Sequence, residues 1–206
     1  MSKNQMASGI LSIEMDELET YIRLLTHQIG ELPSNLEKGL SVGLEVFTLS
    51  EGIGISPGSM QTLWRHSVRT GYMAALIAMS QHVSRPLVWR AFIGGLLHDV
   101  GMLIFLNQQP EVFMAVVDLA QCQGQELGTI EKSFLGTTHA ECGAKFLARW
   151  GVSEELLTLV TFHDKPFHVS HSAFCLSRLY ILPTCWKGGG LHRMAMALSG
   201  GKAKRI

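Results

Sequence analysis

Apolar residues recur at spacings of three and four along most of this chain, and strictly alternating runs are sparse, so the pattern predicts helices almost throughout. Between Glu14 and Ile29 the positions Leu18, Ile22, Leu25 and Ile29 line one helix face. Leu36 to Leu49 is a second, shorter helix interrupted by Gly39 and Gly43. The three glycines and Pro57 between Glu51 and Ser59 read as a loop, with a boundary near residue 55. Ser59 then caps a helix to about Gln81, with Leu63, His66, Thr70, Met73 and Ile77 on its inner face. Pro86 opens the next helix, which carries Leu87, Ala91, Gly95 and His98 on one face and is closed by Gly101. Another covers Glu111 to about Cys122.

The spacing of Thr138 and Glu141 is a capping box, opening a helix whose inner stripe is His139, Gly143, Phe146 and Trp150. Ser153 caps a further helix, with Glu154 and Glu155 in its first turn and Leu156, Val160 and His163 on one side, stopped by Lys165 and Pro166. A last helix runs from about Val169 to Ile181, before Pro183. The expectation is an all-α protein of roughly seven helices in a bundle. It divides into an N-terminal helical segment (1–55), a helical core (56–186) and a basic, glycine-rich tail (187–206).

Composition adds a constraint. Of 206 residues 47% are apolar and 17% charged, with a formal net charge of zero, which excludes a disordered chain and requires a buried core. Cys122, Cys142, Cys175 and Cys185 contain no CxxC pair, and the first 30 residues hold no apolar leader, so a reduced, cytoplasmic protein is expected. The most apolar run, Ala91 to Leu106, is shorter than the ~20 residues of a membrane span and has His98 and Asp99 at its centre. All 17 carboxylates precede residue 165, whereas residues 165–206 carry seven basic side chains and none. Such a tail is a solvated end or, alternatively, a nucleic-acid contact through Arg178, Lys187, Arg193, Lys202, Lys204 and Arg205.

Four predicted helices each place a histidine on an apolar stripe: His66, His98 with adjacent Asp99, His139 and His163. One such histidine is an ordinary core residue bonded to a carbonyl. Four together are how a bundle builds a metal site, because neutral imidazole nitrogens bind transition metals and a neighbouring aspartate can bridge two ions or fix a tautomer. A site of that kind turns water into a nucleophile near neutral pH, as phosphoester hydrolysis needs.

The residues Trp64 to Ser67, Gly95 to Gly101, Glu131, Leu135 to Gly143, Leu147 to Gly151 and Phe162-His163 resemble, in order and spacing, the HDOD family, a branch of the HD phosphohydrolase superfamily related to the HD-GYP phosphodiesterases. The likeness covers about residues 60–166, extends more weakly over Leu36 to Leu49, and fades upstream. It implies an HD-like helical bundle in which His66, His98 and Asp99 are metal ligands, with His139 and His163 added for a second ion. Two departures stand against catalysis. Met102 occupies the place of the HD-GYP lysine, and the closing aspartate of the HD signature has no counterpart, since no Asp or Glu follows Asp164. Asp164 stands where the family usually has a second histidine, too early to replace that group; His171 or Cys175 could substitute by residue type.

With Asp99 as the only assured carboxylate, mostly neutral imidazoles would neutralise two divalent ions poorly, so no metal or one weakly held divalent transition metal is expected. The resemblance then implies a non-catalytic signalling or regulatory module of bacterial type that acts by binding a protein partner, with exposed Trp186 a candidate contact and homo-oligomerisation left open. The alternatives are a metal-dependent phosphohydrolase acting on a nucleotide or cyclic dinucleotide, and nucleic-acid binding through the basic tail.

Overall fold

The computed structural model describes the backbone of residues 3–49 and 57–165, with side chains at 15–48 and 60–165. These residues form nine helices and no strand: α1 Lys3–Ile29, α2 Ser34–Leu49, α3 Pro57–Ser80, α4 Arg85–Leu97, α5 Val100–Gln108, α6 Pro110–Gln123, α7 Leu127–Leu135, α8 His139–Arg149 and α9 Glu154–Phe162. The protein is all-α, as the periodicity predicts. The expected helix at 169–181, the basic tail, Trp186, His171 and Cys175 lie outside the described residues.

α4 is the axle of the bundle. From Val88 to Leu97 every residue except Arg90 is buried, because α3, α2 and α9 pack around it. A helix apolar on all sides has no period for a sequence reader to follow. Together α4 and α5 make a 24-residue stretch, Arg85–Gln108, apolar and long enough to cross a membrane by composition, yet most of it is packed inside the bundle and His98 and Asp99 break it.

Two close helix crossings set the geometry of the interior. A methyl group on Gly95 of α4 would lie 2.6 Å from Gly71 Cα of α3, so those backbones touch. A methyl on Gly101 of α5 would run into the His139 carbonyl oxygen of α8, with Gly143 N only 2.9 Å away. The four glycines thus draw α3 to α4 and α5 to α8. On the outer side, α1 docks on α3 through a flat stack of Tyr21 on Tyr72 (ring centroids 4.1 Å apart), and Glu17 accepts from Tyr21 Oη (2.9 Å) and Arg69 Nε (2.8 Å).

Three local expectations are corrected. Helix α3 starts at Pro57, so Ser59 lies inside it rather than at its cap; proline's fixed φ suits the first turn. Its buried stripe runs through Leu63, Trp64, Ser67, Val68, Ala74, Ala75 and Ala78, which leaves His66 at the margin and turns Met73 outward, 47% exposed. Gly101 does not close α4: the chain breaks at His98 and Asp99, and Gly101 sits inside α5 as a contact point. The pattern also leaves both α5 and α7 unassigned.

Candidate metal centre

Helix ends deliver most of the site. His98 is the C-cap of α4, Asp99 the N-cap of α5, His139 the first residue of α8 and His163 the C-cap of α9; only His66 comes from a helix interior. The capping box at α8 forms as the sequence predicts. Thr138 Oγ1 accepts from Glu141 N at 3.1 Å, Glu141 Oε2 accepts from Thr138 N at 3.5 Å and Thr137 Oγ1 at 2.9 Å, and Lys132 Nζ donates to the same carboxylate at 2.8 Å. His139 therefore enters the core from a clamped turn.

All five residues predicted for the site meet, and Asp99 is the hinge between them. Its Oδ2 lies 3.0 Å from His98 Nε2 and 3.6 Å from His66 Nε2; its Oδ1 lies 3.7 Å from both His139 Nε2 and His163 Nε2. Within each half the ring nitrogens approach one another, His66 to His98 at 3.3 Å and His139 to His163 at 3.2 Å. Two triads with metal-ligand spacing result, His66–His98–Asp99 and Asp99–His139–His163, sharing one carboxylate.

The outer nitrogens of three rings are spoken for. His98 Nδ1 donates to Gly95 O and His163 Nδ1 to Val160 O, each at 2.7 Å, and a carbonyl can only accept. His139 Nδ1 donates to the Glu131 carboxylate at 2.8 Å, whose Oε2 also accepts from the His139 backbone N–H at 2.9 Å. These bonds fix the Nδ1–H tautomer, so in neutral rings the Nε2 atoms of His98, His139 and His163 present lone pairs to carboxylate oxygens and, between His139 and His163, to each other. Acceptors facing acceptors in a buried site require a cation between them, either protons or a metal ion. The donor set fits a divalent ion.

The electrostatics follow the same logic. Burial disfavours the His139 imidazolium, yet the hydrogen bond to Glu131 and the charges of Asp164 and Asp99 overcome this and push its pKa up to about 9. Burial opposes charge on His98 too, but Asp99 and Gly95 O hold its pKa above the ordinary histidine value. Burial and the neighbouring His98 pull His66 down to about 4. Burial would raise Asp99, but the imidazoles of His98, His66 and His139 hold it well below the carboxylate range. Burial holds His163 below the ordinary value as well, so without a metal the protons sit on His98 and His139, each facing a neutral ring.

Two carboxylates that the sequence reading named but did not place in the site belong to it. Asp164 Oδ2 lies 3.4 Å from His139 Nε2 and Oδ1 3.4 Å from His163 Nε2, so this side chain does reach the centre, at the His139 end. Glu131, fully buried behind His139, is the second. The premise that Asp99 is the sole assured carboxylate is therefore corrected to three: two facing the rings and one behind. Met102 is buried in α5, without a charge to offer a phosphate. A cavity of about 310 Å³ borders Asp164 and is also lined by Thr138, Phe162 and Lys165.

A bundle without strands among its described residues, with a His-Asp pair at a helix break and histidines converging from three further helices, defines a domain of the HD superfamily. The HDOD domain family matches residues 34–166, and the chain belongs to that family. An uncharacterized protein of Treponema pallidum (strain Nichols) is 26% identical over 130 residues, 61% of this chain; the chain spans only 25% of that relative's length. Two solved structures share the fold. An HDOD domain protein of unknown function from Geobacter sulfurreducens has a TM-score of 0.54 at 17% identity, over 91% of this chain and 90% of its own. A candidate phosphohydrolase from Shewanella amazonensis SB2B has a TM-score of 0.61 at 18% identity, over 94% of this chain and 82% of its own.

Proposed function

We propose that this domain is a metal-dependent phosphoesterase centre of HD type. One observation carries the reading: the two oxygens of Asp99 each face a separate pair of imidazole nitrogens, with the tautomers of three rings fixed from behind. His66, His98 and Asp99 would hold one divalent ion, and Asp99, His139 and His163 another. Such an ion supplies Lewis acidity toward a phosphoryl oxygen and acidifies water to near neutrality. The chain's own contribution is orientation. Gly95 O, Val160 O and Glu131 lock three rings, and burial excludes competing water. Asp164, half exposed, stands between these rings and the cavity at the open side of the centre. The substrate class is a phosphoester, with nucleotides and cyclic dinucleotides as the leading candidates.

A second reading has its own observation. Met102 offers no charge one turn beyond Asp99, and the chain matches a domain-sized quarter of the Treponema relative, which supports a cytoplasmic regulatory module that holds its ion for structure and acts by docking on a protein.

The experiment is metal analysis of protein purified without added metal, followed by hydrolysis of bis(p-nitrophenyl) phosphate with Mn²⁺. Stoichiometric metal and turnover lost in His98→Ala and Asp99→Asn support the phosphoesterase. Metal without turnover leaves the regulatory reading, and neither overturns the metal centre itself.

A further inference from the structure

We infer that Asp164 is a metal ligand and that it makes the His139 end of the centre the tighter of two unequal positions. The inference rests on the metal-centre reading and goes beyond it, because the HD pattern places histidine, not aspartate, after His163.

The two ends differ in negative charge and in competition for nitrogen. Among the described residues the only carboxylate at the His66 end is the shared Asp99, and Thr70 Oγ1 lies 3.5 Å from His66 Nε2, where its hydroxyl competes for the lone pair. At the His139 end Asp99 is joined by Asp164, with one oxygen 3.4 Å from each ring nitrogen. Glu131 adds a third carboxylate behind His139, and an anion on the outer nitrogen makes an imidazole a better donor. The inner triad of two imidazoles and Asp99 thus gains a fourth donor there. Asp99 and Asp164 together can balance a divalent ion at that end, whereas at the His66 end Asp99 alone leaves an ion with net positive charge in a buried site. Oxygen donors also widen the range of acceptable ions toward Mn²⁺.

The test is titration of the metal-stripped 206-residue chain with Mn²⁺, counting free ion by electron paramagnetic resonance. The wild type is expected to take up a first ion at least about 10-fold more tightly than a second. Asp164→Asn should weaken the first step by at least about 10-fold, since losing even a group that only supports a ligand costs about 10- to 100-fold. Asp164→His, which restores a donor at that place, should recover the step. His66→Ala should leave the first step intact and remove the second. If Asp164→Asn leaves the first step unchanged, or weakens only the second, this inference fails while the metal centre stands. If the wild type takes up no ion at any concentration, the centre itself is refuted.

Discussion

Gly101 and His139 touch backbone to backbone: a Cβ on the glycine would occupy the space of the histidine's carbonyl oxygen. Gly101 lies two residues after Asp99 and His139 carries one ring of the centre, so this crossing fixes how far the shared carboxylate stands from the α8 ligand. Gly101→Ala is expected to destabilise by at least about 1–3 kcal/mol through overpacking and to weaken metal uptake with it. Gly128→Ala is the matched control, since its nearest neighbour, Thr138 Cγ2, would lie at an ordinary 3.7 Å. That change should be neutral or stabilise by up to about 1 kcal/mol through helix propensity. Urea unfolding of the pair decides it; equal midpoints would show that the crossing has room to spare.

Glu131 holds His139 twice, at the backbone N–H and at the ring. A glutamine there keeps a single acceptor oxygen and loses the anion. Glu131→Gln should therefore lower divalent-metal affinity by about 10- to 100-fold and cost about 1–3 kcal/mol of stability from the buried group left unpaired. Calorimetric titration reads the first quantity. An unchanged affinity would mean that helix packing alone orients the ring.

What the sequence disclosed, and what it hid, follows from how each residue reaches its neighbours. His66, His98, His139 and His163 stand out because each is a polar residue on or beside an apolar stripe. The start of α8 stands out because the Thr138 and Glu141 side chains act locally. The break between α4 and α5 is placed late, at Gly101, because the residues flanking His98 and Asp99 are buried on every side, leaving no period to interrupt. Helix α7 is short, nine residues, with a narrow buried face. Asp164 and Glu131 are named in the sequence but not placed at the centre, for a different reason. Asp164 adjoins His163 along the chain, which suggests that the two diverge, yet the turn after α9 brings its carboxylate back over both rings. Glu131 lies eight residues before His139, and the left-handed turn at Gly136 (φ +73°) folds α7 back so that the two meet. A signal existed for Glu131, a lone acid on a helix that buries Leu127 and Ile130.

The clamp at the start of α8 carries a separate prediction. Thr138 Oγ1 accepts from Glu141 N, and the turn it closes presents His139 to the centre. Thr138→Ala should cost about 0.5–2 kcal/mol, the usual value of a lost N-cap, while Thr138→Ser should cost much less because the oxygen remains. Thermal denaturation of both variants tests this; a serine variant as unstable as the alanine would place the effect in the lost methyl contact instead.

The pH response of the metal-stripped protein tests the lone-pair argument directly. His139 binds its proton more tightly in the folded state, with a pKa of about 9 against the ordinary 6.5. The stability it contributes is therefore fully present below pH 6.5 and is lost as pH rises through about 9. Asp99 behaves in the opposite sense: its folded pKa is depressed, so its contribution is present above the ordinary carboxylate value of 3.8 and fades only in strong acid. In chelator the melting temperature should rise from about pH 4 to 6.5, as the cost of keeping His66 neutral in the fold is relieved, and decline from pH 6.5 to 9. With saturating Mn²⁺ the decline should vanish or reverse, because the ion replaces the proton and deprotonated rings bind it better. Melting curves across that range, with and without metal, give the answer. A stripped protein whose melting temperature is flat from pH 6.5 to 9 would mean that no proton is held between the rings and the carboxylates, and that the converging nitrogens do not demand a cation.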